Sequence, residues 1–160
     1  MAIYMKYGGT IKGSVTTDGF KDWIELGSFQ WGVGRSVTSP SKSSDTREGS
    51  EPSISEIVVT KRMDKASPKL WQDAVGGDFS TAVEIHFTTT TKDKVETYLQ
   101  YNLTETGLSG YSASAGGEDA PQETVSLNFA TVTWKYTGRD SKIAGTPDVV
   151  GWDLTQQKKI

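Results

Sequence analysis

The chain has 160 residues, a formal net charge of −3 and no cysteine. So small a charge argues against nucleic acid or an anionic membrane as the main partner. The lack of cysteine excludes disulfides and thiolate chemistry. A chain of this length is most simply one domain, residues 1–160, and Thr, Ser and Gly are plentiful, which favours strands and turns over a helical bundle.

The first residues, MAIYMKYGGTIKG, do not have the pattern of a signal peptide. Polar residues interrupt the apolar ones, whereas a signal needs a continuous apolar run of about 7–15 residues. No stretch approaches the ~20 apolar residues of a membrane helix. We therefore expect a protein that is made in the cytoplasm, does not insert into a membrane and leaves the cell only by a route independent of a signal peptide.

Three strands are predicted in the first part of the chain. Residues 3–7 alternate between apolar and polar side chains, and the glycines that follow suggest a hairpin with residues 10–15. Residues 23–32 form the next predicted strand, in which the apolar positions change phase around Gly27. A glycine at a phase change predicts a bulge or a corner.

The alternation of apolar and polar residues ends at residues 34–53. This segment, GRSVTSPSKSSDTREGSEPS, is rich in Ser, Pro and charged residues. A loop of this length is uncommon in a compact domain. Two interpretations remain open. The segment is either a disordered insertion or an extended arm that becomes ordered only against another molecule.

After a strand predicted at residues 54–61, a short helix is indicated. Ser67 is the predicted N-cap, Pro68 suits the first helical position, and Gly76-Gly77 supplies a left-handed stop. A helix of two to three turns is marginal alone, so the face that carries Leu70 and Trp71 is expected to dock on a sheet.

Residues 82–90 and 95–104 form the most secure predicted hairpin, followed by a stretch of Gly, Ser and Ala at 106–117. Residues 123–137 are the candidate for the element around which the rest is organised. Their apolar positions slip by one residue at Phe129-Ala130. Either one long strand bends there at a bulge or barrel corner, or two short strands meet at a kink.

No reactive constellation stands out, so the chain is not expected to be an enzyme and no cofactor or metal is predicted. The single histidine, His86, lies on the polar face of a strand and is expected to be solvated or hydrogen-bonded. Glu84 and Glu96 could face each other across the hairpin, which invites a comparison with two-carboxylate glycosidases. The simpler interpretation is that these two carboxylates lie on a solvent-exposed face of the hairpin and have no catalytic role.

Several segments together carry a family pattern, in order and across the whole chain. They are Phe29-Gln30-Trp31-Gly32, DKASPKL at 64–70, Tyr98-Leu99, Gly116-Gly117-Glu118-Asp119, ETVSLNFA at 123–130, Trp134-Lys135-Tyr136 and Gly151-Trp152-Asp153-Leu154. This set resembles the Hcp family, the tube protein of bacterial type VI secretion systems.

The resemblance implies a mainly β fold, a two-sheet β-barrel with one short α-helix, from which residues 34–53 protrude as a long extended loop. It also implies homohexameric rings that stack into a tube. A contractile sheath would propel this tube out of the cell, together with the spike protein VgrG that it carries and with small effectors in its lumen.

The resemblance further places particular residues. Gln30 and the loop from Ser112 to Ala115 are expected at the inner wall of the ring, where effectors bind. Ring stacking is expected to use the protruding loop through Val37, Pro40, Arg47 and Glu48. The alternative function is a monomeric β-sandwich that binds a carbohydrate or another ligand, because the chain has five tryptophans.

Overall fold

A computed structural model describes residues 1–38, 48–138 and 148–160. Its described part is mainly β, with one helix, α1 (Ser67–Gly76). The strands of the first half are β1 (Ala2–Tyr7), β2 (Ile24–Leu26), β3 (Ser28–Gln30), β4 (Val33–Gly34), β5 (Val37–Thr38), β6 (Glu48–Gly49), β7 (Ser53–Ile54) and β8 (Ile57–Arg62). Those of the second half are β9 (Thr81–Thr91), β10 (Lys94–Ser114), β11 (Gln122–Asn128), β12 (Thr131–Tyr136), β13 (Asp148–Asp153) and β14 (Lys158–Lys159).

The fold is organised around β10, which is 21 residues long. Its first half pairs with β9 on one side and β12 on the other, and its second half pairs with β11. The first half thus belongs to sheet A (β14-β13-β12-β10-β9-β1-β2) and the second to sheet B (β10-β11-β8-β3). The prediction that residues 123–137 are the organising element was wrong, because β10 continues through the first part of the stretch at 106–117, as far as Ser114.

Both predicted phase changes are corners between the sheets. Gly27 separates β2, which lies in sheet A, from β3, which lies in sheet B. Phe129-Ala130 separates β11 from β12 in the same way, so the interpretation as two short strands is correct. Each apolar set faces the same core from a different sheet, which is why the pattern slips by one residue.

The two sheets enclose one cluster of buried apolar side chains. It draws Met5 and Ile24 from sheet A, and Val59 and Leu127 from sheet B, all with no exposed surface. The pairings between described residues end at β14 and β2 in sheet A and at β3 in sheet B. The two sheets of the predicted barrel are therefore present, whereas its closure is not among these pairings.

The segment at 34–53 forms a paired arm in its described part. β4 pairs with β7 and β5 pairs with β6, and neither pair is hydrogen-bonded to the main sheets. The described residues of the segment pair with each other, and both interpretations of the whole segment stay predictions because residues 39–47 lie outside the described part. Val37 and the backbone of Glu48 lie on this arm, whereas Pro40 and Arg47 lie outside the described residues.

The helix has its predicted extent but different caps. Ala66 is the N-cap, and no side chain caps the first turn. Gly77 has a φ of −69°, so the predicted left-handed stop is wrong. Glycine is needed there for a close approach, because a Cβ would come within 2.6 Å of the Asp73 carbonyl oxygen. Leu70 is fully buried as expected, but Trp71 points to solvent and is 55% exposed.

The predicted N-terminal hairpin is absent from the described structure. β1 pairs with β2 and β9, and only one bridge joins Tyr7 to Ile11. The segment at 13–23 instead covers the outward face of sheet A, where Phe20 stacks on Tyr4 at 4.8 Å between ring centroids and also contacts Trp23. Gly8-Gly9 does not form the turn of a longer hairpin because β1 pairs with β2 and β9 instead.

Candidate functional site

The outward face of sheet B is a broad polar surface that we call the hydroxyl face. Side chains alternate between the two faces of a strand. The residues that flank the buried Val59 along β8, and those that flank the buried Val125 along β11, therefore point outward. Register places the outward residues in rows across four strands. One row is Ser28, Thr60, Thr124 and Ser112, and the next is Gln30, Val58, Ser126 and Gly110.

These two rows carry hydroxyl and amide groups but no charge. Ser28 Oγ lies 2.5 Å from Thr60 Oγ1, so these two neighbouring hydroxyls of the row are hydrogen-bonded to each other. Charge appears only at the rim, where Arg62 Nη2 lies 3.8 Å from Asp119 Oδ1 and both side chains are exposed. Such a surface stays hydrated and offers weak hydrogen bonds in many directions, without a fixed pocket for one ligand.

The structure puts two of the three predicted inner-wall residues on the hydroxyl face. Gln30 and Ser112 are exposed on the outer strands β3 and β10, three strand spacings or about 14 Å apart across the sheet. Ala115 is also exposed and directly follows β10. The predicted loop from Ser112 to Ala115 was wrong in one respect, since Ser112 belongs to β10 and pairs with Thr124.

A buried polar cluster, which we call the lysine clamp, lies on the opposite side of sheet B. Lys61 on β8 and Glu123 on β11 are cross-strand partners and are 0% and 1% exposed. Lys61 Nζ lies 2.6 Å from Glu123 Oε1 and also donates to Ser67 Oγ at 3.1 Å and Asp64 Oδ1 at 3.1 Å. Tyr111 donates its hydroxyl proton to Glu123 Oε2.

The sequence prediction missed this clamp, although its signal is present. Lys61 continues the buried alternation of Ile57 and Val59, and Glu123 precedes Val125 and Leu127 in the same way. Two opposite charges on core positions of neighbouring strands indicate a buried ion pair. The pattern becomes visible only once β8 and β11 are known to be partners.

The clamp brings a serine next to a lysine, as some hydrolases do, but its surroundings argue against catalysis. Ser67 is only 3% exposed, and its hydroxyl donates to Glu123 Oε1 at 2.5 Å. Lys61 Nζ donates to Ser67 Oγ and to two carboxylates, and Ser67 donates to Glu123, so the lysine is not placed as a base for the serine. The cluster therefore joins α1 to sheet B.

The other titratable candidates do not form a site. Glu84 pairs with Asn102 and Glu96 with Thr89, so the two carboxylates are about five residues, or ~17 Å, apart along the hairpin. His86 Nδ1 lies 3.0 Å from Thr97 Oγ1, in agreement with a hydrogen-bonded role. Burial lowers the pKa of His86, against the opposing effect of the Glu84 carboxylate.

The described residues hold neither a cluster of metal-ligating side chains nor a helix suited to a membrane. Within residues 1–38, 48–138 and 148–160, no three His, Asp or Glu side chains come together as a metal site would require. In the same residues, no helix combines the length and apolar character needed to cross a bilayer.

Comparisons with known proteins point to one family. The sequence profile described as "Type VI secretion system effector, Hcp" matches residues 4–136. Protein hcp1 of Pseudomonas aeruginosa is 29% identical over 106 residues, which cover 64% of this chain and 65% of that protein. The match thus spans slightly less than two thirds of the relative's length.

Solved structures show the same fold along nearly the whole chain. The "Structure of a type six secretion system protein" has a TM-score of 0.89 and 34% identity, covering 99% of both chains. Hcp1 from Salmonella typhimurium has a TM-score of 0.76 at 22% identity, covering 99% of this chain and 98% of its own. With the profile match over more than half its length, this chain belongs to the Hcp family of type VI secretion system proteins.

Proposed function

We propose that this protein is the structural subunit of the type VI inner tube, in which six copies form a ring and the rings stack. Effectors travel through the lumen of this tube. The observation that carries the proposal is the hydroxyl face, a row-by-row polar wall four strands wide on one side of the molecule. Family membership supplies the secretion system.

The two outward faces of the fold differ in a way that suits a ring. The outward face of sheet A is covered around Tyr4 by the segment at 13–23, whereas no described segment covers the hydroxyl face. A bare wall of uncharged hydroxyl and amide groups remains wet and binds passing proteins only weakly, so cargo can enter and leave. In this proposal Gln30, Ser112 and Ala115 line the lumen.

The remaining parts take their roles from the same assembly. Residues 1–160 act as one domain whose two sheets form the wall of a barrel. The arm at 34–53 contacts the next ring through Val37, Glu48 and the segment with Pro40 and Arg47. The tube carries the spike protein VgrG and is driven by the contractile sheath, so the protein is made in the cytoplasm and secreted without a signal peptide.

Size-exclusion chromatography with light scattering tests the ring. A mass near six times the 17.4 kDa of one chain is expected at micromolar concentration. Closed rings use a heterologous interface, so intermediate masses should be scarce once the ring is complete. A monomer that persists at high micromolar concentration would rule out the proposal.

A further inference from the structure

The core is open at one side, between the base of the arm and the edge of sheet A. We call this opening the tryptophan groove. It has a volume of about 440 Å³. Its walls include Trp31, Val33 and Ile54 from the arm base, and Trp134, Val150 and Trp152 from β12 and β13.

The groove is continuous with the hydrophobic core. Trp31, Ile54, Trp134 and Trp152 are partly buried and pack directly against the core cluster. At the mouth, Val33 is 66% exposed and Val150 is 42% exposed. Obligate homo-oligomer interfaces have this character, because they resemble a domain core that has been cut in half.

Two polar groups in the groove have no partner in the described part of the chain. The indole Nε1 atoms of Trp31 and Trp152 are buried and make no hydrogen bond there. Burying a donor without an acceptor costs free energy, roughly 1–3 kcal/mol in protein mutational data. An occupant that brings hydroxyl, carbonyl or carboxylate oxygens would satisfy them.

The charge of the groove points the same way. Arg35 is the one charged residue among its described lining, and it makes no ion pair with another described residue. Among the described lining residues there is no carboxylate, so an occupant with apolar groups and an acidic side chain is complementary. A second copy of the chain brings an excess of carboxylates, with 20 Asp and Glu against 17 Lys and Arg.

The edge of sheet A next to the groove is also open. β14 pairs only with Trp152 and Asp153 of β13, and Val149, 62% exposed, faces no strand on that side in the described residues. An uncovered edge strand with exposed valines is a template for pairing with another chain. The groove and this edge form one continuous surface around Val150.

We propose that the tryptophan groove and the adjacent β13 edge are an assembly surface, occupied by a second copy of this chain. This inference rests on the proposed ring and names the surface that holds its copies together. The second copy contributes apolar side chains to the groove, oxygen acceptors to the two indoles and a carboxylate to Arg35.

The test compares identical substitutions on two exposed valines. Val150→Glu puts a charge in the mouth of the groove, whereas Val75→Glu puts it on the outward face of α1, where Val75 is 68% exposed. Light scattering measures the ring, and electron microscopy measures stacked rings. We expect Val150→Glu to lose rings or stacks and to run at the 17.4 kDa monomer mass or as single rings. Val75→Glu should match the wild type.

A second variant on the opposite wall, Val33→Glu, guards against misfolding of β13. Thermal unfolding of each variant confirms that the subunit is folded. If both folded groove variants keep rings and stacks, the groove is not an assembly surface, and the inference is overturned while a six-chain mass of the wild type still supports the proposed function. A wild-type protein that stays monomeric would overturn both the proposed function and the inference about the groove. Loss of assembly in Val75→Glu as well would also overturn the inference, because the effect would not be specific to the groove.

Discussion

The lysine clamp and the tryptophan groove, on two sides of the core, differ in whether their buried polar groups have partners within the described chain. At the lysine clamp, Lys61 and Glu123 are fully buried and each charged atom has partners within the chain. At the tryptophan groove, the walls are apolar but Trp31 and Trp152 leave their indole donors unpaired in the described residues. The difference suits a clamp that stabilises one subunit and a groove that, in our proposal, receives a second copy of the chain.

Removing one member of the clamp should have the largest effect on stability. Lys61→Met leaves the Glu123 carboxylate buried without its cation, which typically costs 3–5 kcal/mol. Denaturant unfolding measures this loss as a lower midpoint at an unchanged slope. The double variant Lys61→Met/Glu123→Leu should recover part of it, since the fully buried pair is then removed, whereas Asp64, 15% exposed, still lacks its cation. A single variant that loses less than about 1 kcal/mol would show that the clamp contributes little.

Neighbouring helix residues give the next contrast. Leu70 is fully buried and joins the core, so Leu70→Ala should cost about 2–5 kcal/mol through lost contacts and a cavity. Trp71 is 55% exposed, and Trp71→Ala should stay within about 0.5 kcal/mol of the wild type. The same unfolding measurement compares them. Equal costs would mean that Trp71 is buried in the free subunit.

The smallest expected effect is the pH dependence from His86. Its folded pKa lies below the ordinary value because the ring is buried beside Trp23, 4.9 Å between centroids, while Lys135 also lowers it and Glu84 raises it. The unfolded state therefore binds the proton first as pH falls below about 6.5, and stability decreases in that window. His86→Gln should flatten this decrease, with the cost of the substitution itself measured at pH 8. Parallel curves for both proteins would contradict the assignment.

The sequence allowed the corners to be predicted because a phase change is a local pattern. The phase changes at Gly27 and Phe129-Ala130 predict bends even when the strands that pair with these segments are not known. The continuation of β10 was not predictable in the same way. Glu105 has a positive φ of 47°, and the glycines beyond it resemble a loop until β11 supplies the pairing.

The candidate site shows the same limit. Gln30 and Ser112 were identified through a family resemblance, but register alone shows that they share one face. The clamp was missed because Lys61 and Glu123 are 62 residues apart in sequence. In both cases the register between strands that are distant in sequence determines which side chains lie together, and residue type alone does not reveal that register.

The orientation of the hydroxyl face in a ring can be measured directly. The chain has no cysteine, so single cysteines can be introduced for a gold label and the assembled rings imaged by electron microscopy. Ser112→Cys lies on the hydroxyl face, and Asp18→Cys lies on the segment that covers sheet A. The account predicts gold at the centre of the ring for Ser112→Cys and at the periphery for Asp18→Cys. Gold from Ser112→Cys at the periphery would contradict it.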